Sequence, residues 1–80
     1  MRRFYAVKKV PKDVGKSMDA LQQAIYEKCV KHGDKGCTEF DVLYVGKPYV
    51  NEAGEKRFAS SARIYKNLRL LVNHGIIVKR

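Results

Sequence analysis

No apolar run in this 80-residue chain approaches the roughly 20 residues that a helix needs to cross a bilayer, and its basic beginning lacks the apolar centre of a signal peptide. The expectation is a cytoplasmic protein with no membrane partner. Cysteine is scarce, with Cys29 and Cys37 alone, too few for a disulfide framework. A reducing cytosol would leave both as buried thiols, whereas a hyperthermophilic source would fit a Cys29–Cys37 bridge. There is no glycine-rich phosphate loop, and no Ser, His and Asp stand in an order that suggests nucleophilic catalysis. The carboxylates read as cap, loop or surface groups. Neither an enzyme nor a cofactor site is expected.

Acid is missing where base is plentiful. Residues 1–12 hold Arg2, Arg3, Lys8, Lys9 and Lys12 and no carboxylate, and residues 56–80 hold Lys56, Arg57, Arg63, Lys66, Arg69, Lys79 and Arg80, again without one. All eight carboxylates lie between Asp13 and Glu55, in a chain of net charge +9 and pI near 9.8. If the two basic ends meet in space they make one positive face, as a polyanion binder requires. A generally basic surface is the plainer alternative, but it would more naturally scatter its acids. With 45% hydrophobic residues the chain is rich enough in apolar side chains for one small packed domain over residues 1–80.

Taken in order, Arg3 to Val10 reads as a strand, and Pro11, Asp13 and Gly15 break it. Ser17 is placed to cap a helix over about residues 18–31, with Met18, Leu21, Ile25 and Cys29 as its inner stripe and Gly33 as its stop. Asp34-Lys35-Gly36 is a turn. Thr38 with Asp41 forms a variant capping box for a second helix over about residues 39–45, from which Phe40, Leu43 and Tyr44 are expected to point inward. The run Val42 to Val45 has equal strand propensity. Pro48-Tyr49-Val50 and Lys56-Arg57-Phe58-Ala59 flank Asn51 to Glu55, the spelling of a hairpin with a glycine-containing turn, a disordered loop being the alternative.

The last stretch, Ser60 to Arg80, carries the clearest helical period. Ile64, Leu68, Leu71 and Val72 stand at i, i+4, i+7 and i+8, the spacing of a core-facing stripe. Arg63, Lys66, Asn67 and His74 are expected on the outer side. Ser60 or Ser61 can cap the start, Gly75 can end the helix in a left-handed conformation, and Ile76 to Val78 reads as a short strand.

The segment Ser61-Ala62-Arg63-Ile64-Tyr65-Lys66-Asn67-Leu68, then Leu71, then Gly75-Ile76-Ile77, resembles the recognition helix and first wing strand of winged helix-turn-helix DNA-binding proteins. The resemblance implies an α+β fold, a small winged-helix domain of three helices with a short two- or three-stranded antiparallel sheet. Two features depart from that pattern. The connection between the second and third helices is long, and the sequence stops at Arg80 before a second wing strand returns. Pairing of Ile76–Val78 with Arg3–Val10 would replace that strand and bring the basic ends together.

The function that this implies is duplex DNA binding by a transcription regulator acting as a homodimer. Phosphates are met by hydroxyl groups, Lys and Arg, and bases are read by side chains in the major groove. Ser60 and Ser61 sit where a phosphate would meet the helix start. Arg63, Lys66 and Asn67 are the candidates for base edges, and Tyr65 stands at the boundary of the two faces. Arg69, Lys56, Arg57, Lys79 and Arg80 are assigned to phosphates. Two readings compete with this one: a protein-interaction module that docks through the 60–74 face and Leu70, and RNA binding with Phe4, Tyr5, Tyr49 and Phe58 stacking on bases. A zinc site from Cys29, His32 and Cys37 with His74 has a non-standard spacing and is disfavoured.

Overall fold

The computed structural model describes residues 3–7, 18–44 and 49–80. Their elements run β1 (Phe4–Ala6), α1 (Ala20–His32), a 3-10 turn (Gly33–Lys35), α2 (Glu39–Tyr44), β2 (Tyr49–Val50), β3 (Lys56–Arg57), α3 (Ser61–Asn73) and β4 (Ile77–Lys79). This is a small α+β arrangement of three α-helices and two antiparallel strand pairs. Among the described residues no helix is long and apolar enough to cross a membrane. Arg2, Lys8 to Val10, the break at Pro11 to Gly15, Ser17 and Val45 to Pro48 lie outside the described residues.

The two ends of the chain do meet. β1 pairs with β4 in the register Phe4 with Lys79, Tyr5 with Val78 and Ala6 with Ile77. The ladder extends to Arg3 and Arg80, whose N–H and C=O groups exchange two hydrogen bonds of 2.6 and 2.8 Å. On its other side Phe4 exchanges two bonds of 2.8 Å each with Cys37, so β1 is the middle of a three-segment strip. Gly36 precedes that bridge at φ 72°, and a Cβ there would lie 2.8 Å from the Tyr5 ring. A side chain at this position would prise the turn off β1.

Each helix boundary has a local cause. α1 begins two residues later than expected, at Ala20, because Asp19 is its cap in place of the expected Ser17. The Asp19 carboxylate accepts from the Gln22 N–H at 2.8 Å, and the Gln22 side chain accepts from the Asp19 N–H at 3.3 Å. Gly33 ends the helix, its N–H donating to the carbonyls of Cys29 and Val30. α3 is capped by Ser60, whose Oγ accepts from the Arg63 N–H at 3.2 Å. Its end is a Schellman turn: Gly75 at φ 75° donates to Val72, and Ile76 donates to Leu71.

α2 forms as a helix and settles the ambiguity over Val42. The Thr38–Asp41 box is reciprocal, with Thr38 N–H to Asp41 Oδ2 at 3.0 Å and Asp41 N–H to Thr38 Oγ1 at 3.2 Å. The inward side chain is Val42, fully buried, and Phe40 is turned out with 70% of its surface exposed. Residues two positions apart in sequence lie about 200° apart around a helix. Val42 in the core therefore forces Phe40 outside, contrary to the expectation above. Leu43 packs against the core from the side, and the side chain of Tyr44 lies outside the described part.

The core is built from Phe4, Leu21, Ile25, Cys29, Cys37, Val42, Tyr49, Ile64, Leu68, Leu71, Ile76 and Ile77. Leu71 is 1% exposed, whereas its neighbour Leu70 is 37% exposed. Leu71→Ala should therefore cost about 2–5 kcal/mol, and Leu70→Ala should stay within about 0.5 kcal/mol. Urea unfolding midpoints of the two variants test this directly.

A second prediction concerns acid. The Thr38 N–H, then the Thr38 hydroxyl and the nearby His32, hold the Asp41 carboxyl below its ordinary value of 3.8, against a smaller opposing effect of burial. Because the folded chain favours the ionised form, this contribution is complete above the ordinary value and is lost as pH falls through the lowered one. Asp41→Asn should lower the thermal midpoint at pH 7, with the gap from the parent closing as pH drops below the carboxylate range.

Candidate nucleic-acid interface

The outward face of α3 is set by what holds its inner face. Ile64, Leu68 and Leu71 are buried, and Val72 is half-buried beside them. Asn67 joins them inside at 8% exposure, the only buried polar or charged side chain among the described residues. Its Oδ1 accepts from Gln22 Nε2 of α1 at 2.9 Å, and its Nδ2 donates to the Arg63 carbonyl at 2.8 Å. Asn67 is therefore spent on the α1–α3 contact and cannot read a base edge. The reason is positional: Ile64, Asn67, Leu68 and Leu71 stand at i, i+3, i+4 and i+7, so Asn67 belongs to the apolar stripe despite its polarity.

What remains outside is Ser61, Ala62, Arg63, Tyr65, Lys66, Arg69, Leu70 and Asn73, all exposed. No acid stands on this helix, and among the described residues none of Arg63, Lys66, Arg69, Lys56, Lys79 or Arg80 lies within ion-pair distance of a carboxylate. Ser60 accepts from the helix backbone through Oγ, which leaves its hydroxyl proton available to an incoming oxygen.

The β2–β3 hairpin flanks the start of α3. Asn51 shapes its turn, its Oδ1 accepting from the N–H groups of Ala53 and Glu55 at 3.0 and 2.9 Å. The hairpin also reaches α1, where Glu52 Oε1 accepts from the Ala20 N–H at 2.8 Å. Tyr49 is buried, and the Arg63 guanidinium stands 6.0 Å above its ring. Cation and ring attract at this distance, so Arg63 is steadied from below while it remains exposed. Arg57, directly opposite Tyr49 in the hairpin, is exposed and lies 3.5 Å from Glu55. A surface pair of that kind contributes about 0–1 kcal/mol and yields readily to a phosphate.

The other flank is divided. Lys79 shares a strand face with Phe4, its ammonium 5.9 Å from the ring. There it lines a groove of about 220 Å³ with Tyr65, Arg69 and Glu39. Arg80 is one residue on and so faces the opposite way. Its guanidinium lies 5.8 Å from the Tyr5 ring, in a wider depression bordered by Tyr26 and Val30 of α1. Of the cations expected to meet phosphate, Arg69 stands on α3, Lys56, Arg57 and Lys79 border it, and Arg80 stands behind the strand pair.

Sequence reasoning had no means of finding the contacts of Glu52 and Tyr49, because each is made to a residue 14 or more positions away. The pairing of Gln22 with Asn67 spans 45 positions and is equally out of reach of local pattern.

Cys29 and Cys37 are free, buried thiols. Burial pushes both thiols up, Cys29 further because Cys37 is beside it. Thiols held neutral in an apolar core are poor metal ligands, which bind as thiolates. Among the described residues no group of three or more His, Cys, Asp or Glu side chains could hold a metal, and His74 is exposed. No family model, curated protein or solved structure matches the chain.

The buried amide pair leads to a test. Asn67→Ala leaves the Gln22 amide without its partner and should cost about 1–3 kcal/mol. Lys66→Ala, one residue away but exposed, should leave the unfolding midpoint unchanged. In a cycle with Gln22→Ala the two losses should fall short of additivity. Additive losses would mean that the amides do not interact.

Proposed function

We propose that this chain is a winged-helix DNA-binding protein that lays α3 in the major groove of duplex DNA. The observation that carries the reading is the outward face of α3, which is free of acid, exposed, and fixed in rotation by the apolar stripe and the Gln22–Asn67 bond. A 13-residue helix is about 20 Å long, and the major groove, about 12 Å wide, admits it. Arg63 and Lys66 then stand for the base edges. Ser60 and Ser61 at the start, Lys56 and Arg57 on the hairpin, and Arg69, Tyr65 and Lys79 on the far flank stand for the phosphates. Arg80 adds charge at longer range.

A transcription regulator working as a homodimer follows from the same reading. The longest dimension of the chain is 32 Å, close to the ~34 Å that separates equivalent points one turn apart on the duplex. Two copies side by side would present two α3 helices to one face of the DNA, on a palindromic site. The edge of β4 away from β1 suits such contact. The bonded pairs Arg3–Arg80 and Val7–Ile76 direct the Ile77 and Lys79 backbone groups outward.

RNA recognition by stacked aromatics has less support, since Phe4 and Tyr49 are buried and Tyr5 lies under Arg80.

Titration of matched and shuffled duplexes at several salt concentrations tests the proposal. Affinity should fall steeply with salt, by about 0.9 in the log–log slope for each phosphate contacted. Lys56→Ala should weaken all sequences alike and reduce that slope. Arg63→Ala should relax preference at one base pair, at a cost of about 1–3 kcal/mol for the preferred site. An isotherm insensitive to salt would refute duplex binding.

A further inference from the structure

Two phenylalanines are left outside the core, and their surroundings differ in charge. Phe40 is 70% exposed and sits between Glu39 and Asp41. Phe58 is 73% exposed, preceded by Lys56 and Arg57 and followed by the α3 cap at Ser60. Phosphates would be repelled from the first and drawn to the second. Phe58 is also held from both sides. The Tyr49–Arg57 pair of the hairpin fixes the residue before it, and Ala59, packed against the core, fixes the residue after it. Its Cα can be no more than about 7 Å from that of Ser60, roughly two base steps at about 3.4 Å each. The ring is thus an exposed apolar group whose chain neighbours are tied down on both sides, within reach of the bases beside the groove that α3 would occupy.

We infer that Phe58 is a wedge that inserts at a base step of duplex DNA, flanking the site that α3 contacts. The inference rests on the DNA-binding reading above and adds a contact that carries no charge. Apolar side chains of this kind enter from the minor groove and partly unstack a step. Lys56 and Arg57, immediately before the ring, would meet the backbone that separates that groove from the one α3 occupies.

The test uses the full chain and a duplex recovered from a random pool by selection on it, with 2-aminopurine placed at successive positions along one strand. The wild type should raise the fluorescence at one step beside the site, where stacking is lost. Phe58→Ser should abolish that rise and bind about tenfold more weakly, as removal of a stacked aromatic does, with an unchanged salt slope. Phe58→Leu should keep a part of both effects. Phe40→Ser should change neither. Because Phe58 is exposed, the serine variant should keep the parent's circular dichroism and urea midpoint. Equal affinity and equal fluorescence for Phe58→Ser and the parent would overturn the wedge while leaving DNA binding intact. A loss confined to single-stranded probes would overturn it in favour of stacking on a single strand. Failure of the wild type to bind any duplex would overturn the underlying reading, and the wedge with it.

Discussion

The fold closes on the pairing of the two ends of the chain, and the placement of the terminal cations depends on it. β1 and β4 contribute three residues each, and a hairpin of that size would not persist alone in water. It persists because Phe4 and Ile77 press one face of the pair into the core, and because Cys37 bonds Phe4 along its other edge. Closing the ends over more than 70 residues is entropically costly, and the cost is met by apolar burial that no local segment could supply. The consequence is electrostatic. Lys79 arrives beside α3, and Arg3 and Arg80 are joined backbone to backbone.

The orientation of α3 is the second determinant. An apolar stripe restrains a helix loosely in rotation, since leucines tolerate some slippage. A buried amide does not, because each polar atom must find its partner. Asn67 bonds across to Gln22 and back to the Arg63 carbonyl, and Gln22 is itself tied to the Asp19 backbone at the start of α1. One short network therefore links the cap of the first helix to the rotation of the third. The direction in which Arg63, Lys66 and Arg69 project follows from it.

The cations at the surface are arranged with similar economy. Arg63, Lys79 and Arg80 each lie near the ring of an aromatic residue in a strand. Contact of this kind limits the freedom of a long side chain without neutralising its charge. The anion of the proposed function would meet groups already partly ordered, so less entropy would be lost on binding. The Arg57–Glu55 pair is the exception, an exposed contact that is easily exchanged.

From residue order alone one could read the first and third helices, a cap at Ser60 or Ser61, the Thr38–Asp41 box, the glycine stops and the acid-free ends, with the second helix and the hairpin each as one of two alternatives. All of these are governed by neighbours within about four positions, and a side chain and backbone that close together have little choice of partner. The pairing of the end strands was legible too, as the one arrangement that matched two short apolar runs. What only the tertiary structure decided was which groups face inward. Asn67 was assigned outward for its polarity, yet α1 offers an amide opposite it. Phe40 was assigned inward for its apolarity, yet Val42 fills the space. Asp19 supplanted Ser17 as the cap, and Arg80 turned to the far side of the strands. In each case the outcome rests on burial against another element or on strand alternation, and burial is a property of the assembled core that the local pattern of residues does not contain.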